Sequence, residues 1–257
     1  MANRLDRTFR HFYVRWIRPR VGRVIARQRI KLLYFGWSYV PILFMTFIPR
    51  RLALVAAFLA ADWTVPAAHR PSEIAAICRG FRHVPANTVM VEAGCWQGAS
   101  SVKFSHLCRR FGLRLHIYDS FEGVEVVREG GYNFSGEYAS PESVLREHLR
   151  RRGVPEVCDI HPGWFSDTLA KEPPAPVSIA YVDCDIAKGT RDALAGIVRG
   201  LAPHGIVYTQ DFHVASVRRL LADPRTWRDL GCEPPIVRRL AGNLAVLTFP
   251  EPDAGRG

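Results

Sequence analysis

Thr88-Val-Met-Val-Glu-Ala-Gly-Cys-Trp-Gln-Gly98 is the stretch that decides how this 257-residue chain reads. Its first four residues are β-branched or apolar, as a buried strand requires. Glu92, Ala93, Gly94 and Gly98 then form an acid-and-glycine turn, and Ala99 to Phe104 opens a helical pattern. Strand, Gly-rich turn and helix make one half of a nucleotide-binding βαβ unit. Gly94 and Gly98 carry no Cβ, so both are expected to let backbone come close to a ligand. The spacing is Glu-x-Gly-x-x-x-Gly, not the Gly-x-Gly-x-x-Gly of dinucleotide sites, and no Gly-Lys-Ser/Thr follows to hold a phosphate. A cofactor without a pyrophosphate fits better, and S-adenosylmethionine leads the candidates. Taken alone, the stretch fits a tight turn in any α/β fold equally well.

Downstream, strand and helix patterns alternate. Arg114 to Ser120 reads as a second strand ending in Asp119, Glu142 to Arg152 as a helix, and Glu156 to Ile160 as a short strand. Pro176 to Asp183 is a fourth strand, Lys188 to Leu201 a helix, Gly205 to Asp211 a fifth strand and Ala215 to Leu221 a helix. Residues 122–140 show no sustained period and read as a mobile loop over the site. Pro235 to Leu240 and Leu244 to Phe249 flank Gly242-Asn243, a hairpin signal. The pattern predicts an α/β, Rossmann-like, mostly parallel sheet closed by an antiparallel edge hairpin. The expected division is a helical extension over 1–65, the α/β domain over 66–250 and a frayed tail over 251–257.

Charge separates the extension from the domain. Residues 1–31 hold nine Arg, one Lys and one Asp, so the other 226 residues carry only +2 of the net +11. A nearly neutral domain speaks against nucleic acid as its partner. Residues 4–30 place Leu5, Phe9, Phe12, Tyr13, Trp16, Ile17, Val21, Val24 and Ile25 at helical steps with arginines opposite. A basic helix with aromatics on its apolar side suits an anionic membrane surface. Residues 32–49 are uncharged but short for a span and broken by Gly36 and Pro41. An interfacial or re-entrant anchor on the cytoplasmic side is one reading of this run; a buried dimerisation or lid segment is the other. The reach of this surface is residues 4–60. Six scattered cysteines without a Cys-x-x-Cys pair argue against zinc and fit a reduced compartment.

In open α/β sheets ligands bind at the carboxyl ends of the strands, and acids stand at four such ends. Glu92 closes the first strand, Asp119 the second, Asp183 and Asp185 the fourth, and Asp211 the fifth. Asp119 is placed to bind ribose hydroxyls, or else caps its own turn. Asp183, Asp185 and Asp211 at one spot would repel unless a proton or cation joins them. A hard divalent ion such as Mg²⁺ takes oxygen ligands and would hold a substrate diol, with a second acid taking the hydroxyl proton. The bland alternative is that Asp185 caps the helix from 188. Trp96 and Phe165 fit either cofactor contact or packing, and His213 either a ligand or a surface residue.

Four motifs, in order, carry a resemblance. Glu92-Ala-Gly-Cys-Trp-Gln-Gly98, Asp119-Ser120-Phe121-Glu-Gly123, Gly163-Trp164-Phe165-Ser-Asp-Thr-Leu169 and Asp183-Cys-Asp185-Ile-Ala-Lys-Gly-Thr190 resemble the macrocin O-methyltransferase family. These are metal-dependent S-adenosylmethionine enzymes that methylate sugar hydroxyls. The resemblance covers residues 88–213. It implies cofactor contacts from Glu92, Ala93, Gly94, Trp96, Gly98, Asp119, Ser120, Phe121, Trp164, Phe165 and Asp183, metal contacts from Asp183, Gln210 and Asp211, and Asp185 as general base. The family's paired Asp-Asp is Gln210-Asp211 here, which removes one negative charge and puts the Mg²⁺ in question. The family's Tyr after its Asp-x-Asp motif is missing, with Ala187 in its place. The expected acceptor is a hydroxyl of a sugar, polyol or glycosylated lipid, and the sequence is compatible with a homo-oligomer. The rivals are a nucleic-acid methyltransferase and a non-catalytic, membrane-associated scaffold that binds the cofactor.

Overall fold

The computed structural model describes residues 36–85, 87–125, 128–129, 132–133 and 136–250. The basic helix expected over 4–30 and the tail over 251–257 lie outside the described residues. Two helices open the described chain, α1 over residues 36–43 and α2 over Arg51–Thr64. α3 (Pro71–Ile77) runs into a 3-10 turn at Cys78–His83. Then come β1 (Val89–Ala93), α4 (Ala99–Phe111), β2 (Arg114–Asp119), the two-residue strands β3 (Arg128–Glu129) and β4 (Tyr132–Asn133), α5 (Glu142–Arg152) and β5 (Cys158–Pro162). β6 (Val177–Val182), α6 (Ala187–Gly200), β7 (Leu201–Thr209), α7 (Ala215–Ala222), α8 (Pro224–Asp229), β8 (Ile236–Arg239) and β9 (Ala245–Thr248) complete it.

The main sheet has seven strands in the order β5-β2-β1-β6-β7-β9-β8. The first five are parallel, and β9 and β8 run antiparallel at one edge. β6 is buried at all six residues, apolar but for Ser178, whose hydroxyl donates to Val89 O at 3.3 Å. The chain steps outward from β1 to β2 to β5 and then returns to β6 on the other side of β1. That reversal opens a crevice at the carboxyl ends of β1 and β6, where open α/β sheets bind ligands.

Each face of the sheet carries a core. Met90, Leu115, Ile117, Ile179 and Tyr181 pack with α1 to α5. Val91, Ala93, Tyr118, Ala180, Val182 and Val207 pack with α6, α7 and Trp227. The apolar run over 32–49, read from sequence as an anchor, contributes Tyr39, Ile42, Met45 and Ile48 to the first core. Tyr39 meets Phe58 of α2 edge-on at 5.4 Å and donates to Asp62 Oδ2 at 2.6 Å. Among the described residues no helix is long and apolar enough to cross a membrane.

Three local readings change. The strand expected over 156–160 lies at Cys158–Pro162, because Pro155–Val157 first makes a 3-10 turn. The loop expected over 122–140 contains a small hairpin. β3 pairs antiparallel with β4, and below it Val124 N–H donates to Glu137 O and Gly136 N–H to Val124 O. α8 was not foreseen, although Asp223-Pro224 signals it: the Asp223 side chain caps Arg225 N–H at 2.9 Å and Pro224 opens the helix.

Candidate active site

The crevice holds a pocket open to solvent at its mouth. Three segments build one side of it: the β1–α4 turn (Gly94, Cys95, Trp96), the end of β2 (Asp119, Ser120) and the turn after β5 (Trp164, Phe165). The β6–α6 turn supplies Asp183, Cys184, Asp185 and Ile186 opposite. Of the expected cofactor residues, Gly94, Trp96, Asp119, Ser120, Trp164, Phe165 and Asp183 line this pocket. Glu92, Ala93, Gly98 and Phe121 do not line it.

The two glycines also make room for neighbouring protein. Gly94 has φ +88°, and a Cβ on it would stand 1.8 Å from the carbonyl oxygen of Asp183. Gly98 has φ +85°, and its Cβ would meet Leu145 Cδ1 of α5 at 2.4 Å. Gly94 thus lets the ends of β1 and β6 touch while it lines the pocket, and Gly98 seats α5 on α4.

Asp119 is the clasp of the first half. Its Oδ2 accepts Cys95 N–H at 2.7 Å and Trp96 N–H at 3.1 Å, and its Oδ1 accepts Phe121 N–H at 2.8 Å. A carboxylate has about four acceptor positions, so one remains for a ligand hydroxyl. Trp96, Tyr138 and Asp185, all pocket-lining, hold positive φ without being glycine. Strain of this kind persists where surrounding structure enforces it, as at functional sites.

The second half is a cluster of carboxylates. Oxygens of Asp183, Asp185 and Asp211 lie within 4.8 Å of one another. Asp211 Oδ2 accepts the N–H groups of Cys184 and Asp185 at 2.8 and 2.9 Å, which fixes the β6–α6 turn. Tyr181 donates to Asp183 Oδ2 at 3.1 Å. Burial, then Asp211 and Asp185, push the Asp183 carboxyl well above the usual range. Burial, then Asp211, push Asp185 up to about 7, eased by nearby His213. Burial pushes Asp211 to about 6 against the pull of its two backbone donors. Crowded oxygens whose ionisation is this costly are the donor set a hard divalent cation satisfies.

Gln210 was expected beside that cation. Its amide nitrogen donates to Glu73 Oε2 at 3.1 Å, while its Oε1 is buried with no hydrogen-bond partner among the described residues. Glu73, wholly buried on α3, also accepts Arg70 N–H at 2.6 Å and Asn243 N–H at 2.8 Å. An Asp at 210 would set a second carboxylate beside Glu73, so a neutral donor stands there.

Sequence reasoning missed the wall formed by Pro66 to His69, and it placed the 122–140 loop over the site without singling out Val124, Glu125 and Tyr138, which line the pocket. Tyr138 meets Trp96 edge-on at 5.5 Å. His69 Nε2 lies 2.7 Å from Nζ of the fully buried Lys103, which also pairs with Asp62 at 2.5 Å. No local motif marks these residues, because their partners lie tens of positions away.

The sheet order and its flanking helices are those of the Rossmann-like methyltransferase fold. Residues 91–212 match the family described as a methyltransferase domain. The chain is 30% identical over 149 residues, 53% of this chain and 57% of the relative, to 8-demethyl-8-(2,3-dimethoxy-alpha-L-rhamnosyl)-tetracenomycin-C 4'-O-methyltransferase of Streptomyces olivaceus. It is 20% identical over 151 residues, 53% of this chain and 59% of the relative, to mycinamicin III 3''-O-methyltransferase of Micromonospora griseorubida. The matched region thus spans under two thirds of either relative. Among solved structures, the O-methyltransferase NovP superposes with a TM-score of 0.59 at 20% identity, covering 77% of this chain and 98% of NovP. The calicheamicin methyltransferase CalS11 superposes with a TM-score of 0.53 at 19% identity, covering 78% of this chain and 93% of CalS11.

Proposed function

We propose that this protein is an S-adenosylmethionine-dependent O-methyltransferase acting on a sugar hydroxyl of a small molecule. One observation carries the reading: a single pocket joins the Asp119 clasp to the carboxylate cluster. The relatives, named as O-methyltransferases of glycosylated natural products, support the acceptor class.

The fit to the cofactor rests on Asp119, whose remaining acceptor position faces the pocket, and on Trp96 and Phe165, which offer flat apolar surfaces to a heterocycle. When bound, S-adenosylmethionine supplies a methyl group made electrophilic by the sulfonium. The chain's own work is to align the acceptor oxygen and remove its proton. Asp185 is the general base, because its carboxyl, pushed to about 7, is matched to proton transfer near neutrality. Asp183 and Asp211 would hold Mg²⁺, which would ease the repulsion within the cluster and stabilise a developing alkoxide, leaving Asp185 beside it to take the proton.

Asp185→Asn is expected to lower methyl transfer by about 10²–10⁴-fold while S-adenosylhomocysteine still binds in calorimetry. Undiminished transfer would remove Asp185 from the reaction. A wild-type chain that binds cofactor but methylates no member of a glycoside panel would favour the scaffold reading. The metal has its own readout. Mg²⁺ at about one hundred times its Kd should stabilise the fold by ~3 kcal/mol, and Asp211→Asn should abolish that gain in a thermal melt. An identical melting temperature in Mg²⁺ and in chelator would exclude the ion.

A further inference from the structure

α1 and α2 present a surface that the pocket does not use. α1 turns Tyr39 and Ile42 inward. At about 100° per residue, Trp37 and Pro41 fall on the opposite side, and Phe44 follows in the turn. Trp37 is 55% exposed and Phe44 80%. α2 buries Leu54, Phe58 and Ala61. Its Leu52, Ala56 and Trp63 fall within about 40° of one another on a separate stripe, and Leu52 is 75% exposed. Both helices are therefore apolar on their outer as well as their inner sides, a pattern suited to a core or to lipid.

Charge sharpens the choice. The one acid of these helices, Asp62, is turned inward to Lys103. Arg50 and Arg51 remain outside, at the turn between the helices. Arg110 of α4 joins them, its Nε donating to Pro49 O at 3.3 Å. Among the described residues no carboxylate pairs with any of the three. Residues 1–31, immediately upstream in sequence, add a net +9.

We propose that this face docks on an anionic lipid bilayer, with Trp37, Phe44, Leu52 and Trp63 at the headgroup boundary and the arginines on lipid phosphates. The helices lie in the interface, since neither is long enough to cross it. A symmetric dimer through this face would bring the unpaired arginine cluster near its own copy, and a nucleic acid would leave the exposed Trp, Phe and Leu without a partner. The proposal stands independently of the methyl-transfer reading. If both hold, Pro66 to His69, which follow α2 directly and line the pocket, would bring the site close to a membrane-borne glycosyl acceptor.

The test is flotation of the full chain with vesicles of phosphatidylcholine alone, or of phosphatidylcholine mixed with phosphatidylglycerol. The wild type should float with the anionic vesicles, less so with neutral ones, and detach in high salt. Phe44→Ser with Leu52→Ser should weaken binding roughly tenfold or more, as should Arg50→Glu with Arg51→Glu, at unchanged melting temperature. Trp63→Ser serves as the apolar-face variant if the serine pair melts early. Flotation of these variants equal to wild type would overturn the proposal and leave residues 1–31 as the binder. So would a wild type that does not float, a dimer that Leu52→Ser separates, or RNA binding that the same apolar substitutions abolish.

Discussion

Glu92 is a buried carboxylate: neither oxygen has a hydrogen bond of ordinary geometry, and the hydroxyls of Ser100 and Ser101 stand near it. Burial pushes its carboxyl from 4.5 to about 7, eased by the nearby hydroxyls of Ser100 and Ser101. A carboxyl raised on folding binds its proton more tightly in the native state, so it lowers stability as pH rises from 4.5 to 7. The penalty is full above that window, at about 3 kcal/mol. Glu92→Gln should therefore be isoenergetic with wild type near the bottom of the window and more stable by that order above it, measured by denaturant unfolding. A stability gap independent of pH would mean that Glu92 is ionised or satisfied throughout. At this scale the sequence showed which acids end which strands, because strand ends are legible from apolar runs. It did not show what each acid touches: Asp119 is bound by backbone of the β1–α4 turn, and Gln210 answers Glu73, 137 positions away.

The β1–α4 turn shows how much of an element a motif reveals and how much it leaves to tertiary neighbours. Glu-x-Gly-x-x-x-Gly announced strand, turn and helix, but a glycine's neighbours depend on which strand lies beside it. A Cβ at Gly94 would strike backbone, whereas one at Gly98 would strike the end of a leucine side chain that can turn away. Alanine at either site meets positive φ, at about 1 kcal/mol. Gly94→Ala should cost substantially more than Gly98→Ala in urea midpoint, and equal costs would contradict the close contact of β1 with β6. α2 and α4 are likewise joined by a feature that no periodicity reveals. Lys103 Nζ, wholly buried, sits between Asp62 and His69. Lys103→Met leaves the Asp62 charge uncompensated and should destabilise by roughly 3–5 kcal/mol, with Asp62→Leu added on the same chain recovering part of that loss. An Lys103→Met chain as stable as wild type would mean that the buried pair contributes nothing.

For the whole molecule, alternating strand and helix patterns and the Gly242-Asn243 turn were enough to give a mostly parallel sheet with an antiparallel edge. The place of residues 36–49 was harder to read. An uncharged run looks the same in sequence whether lipid or a sheet covers it, and this one gives one side to the core and keeps the other exposed. The strand order sets the Asp119 clasp across the crevice from the carboxylate cluster, and this arrangement is the basis for reading the chain as a methyltransferase. The measurement that tests it most directly is calorimetric titration of the intact chain with S-adenosylmethionine and S-adenosylhomocysteine, in Mg²⁺ and in chelator. Saturable binding of both, with the product's affinity unaffected by chelator, is the predicted result and places the cation on the acceptor side. Heat-silent titrations of a chain that melts cooperatively would contradict the cofactor assignment and, with it, the methyl-transfer reading.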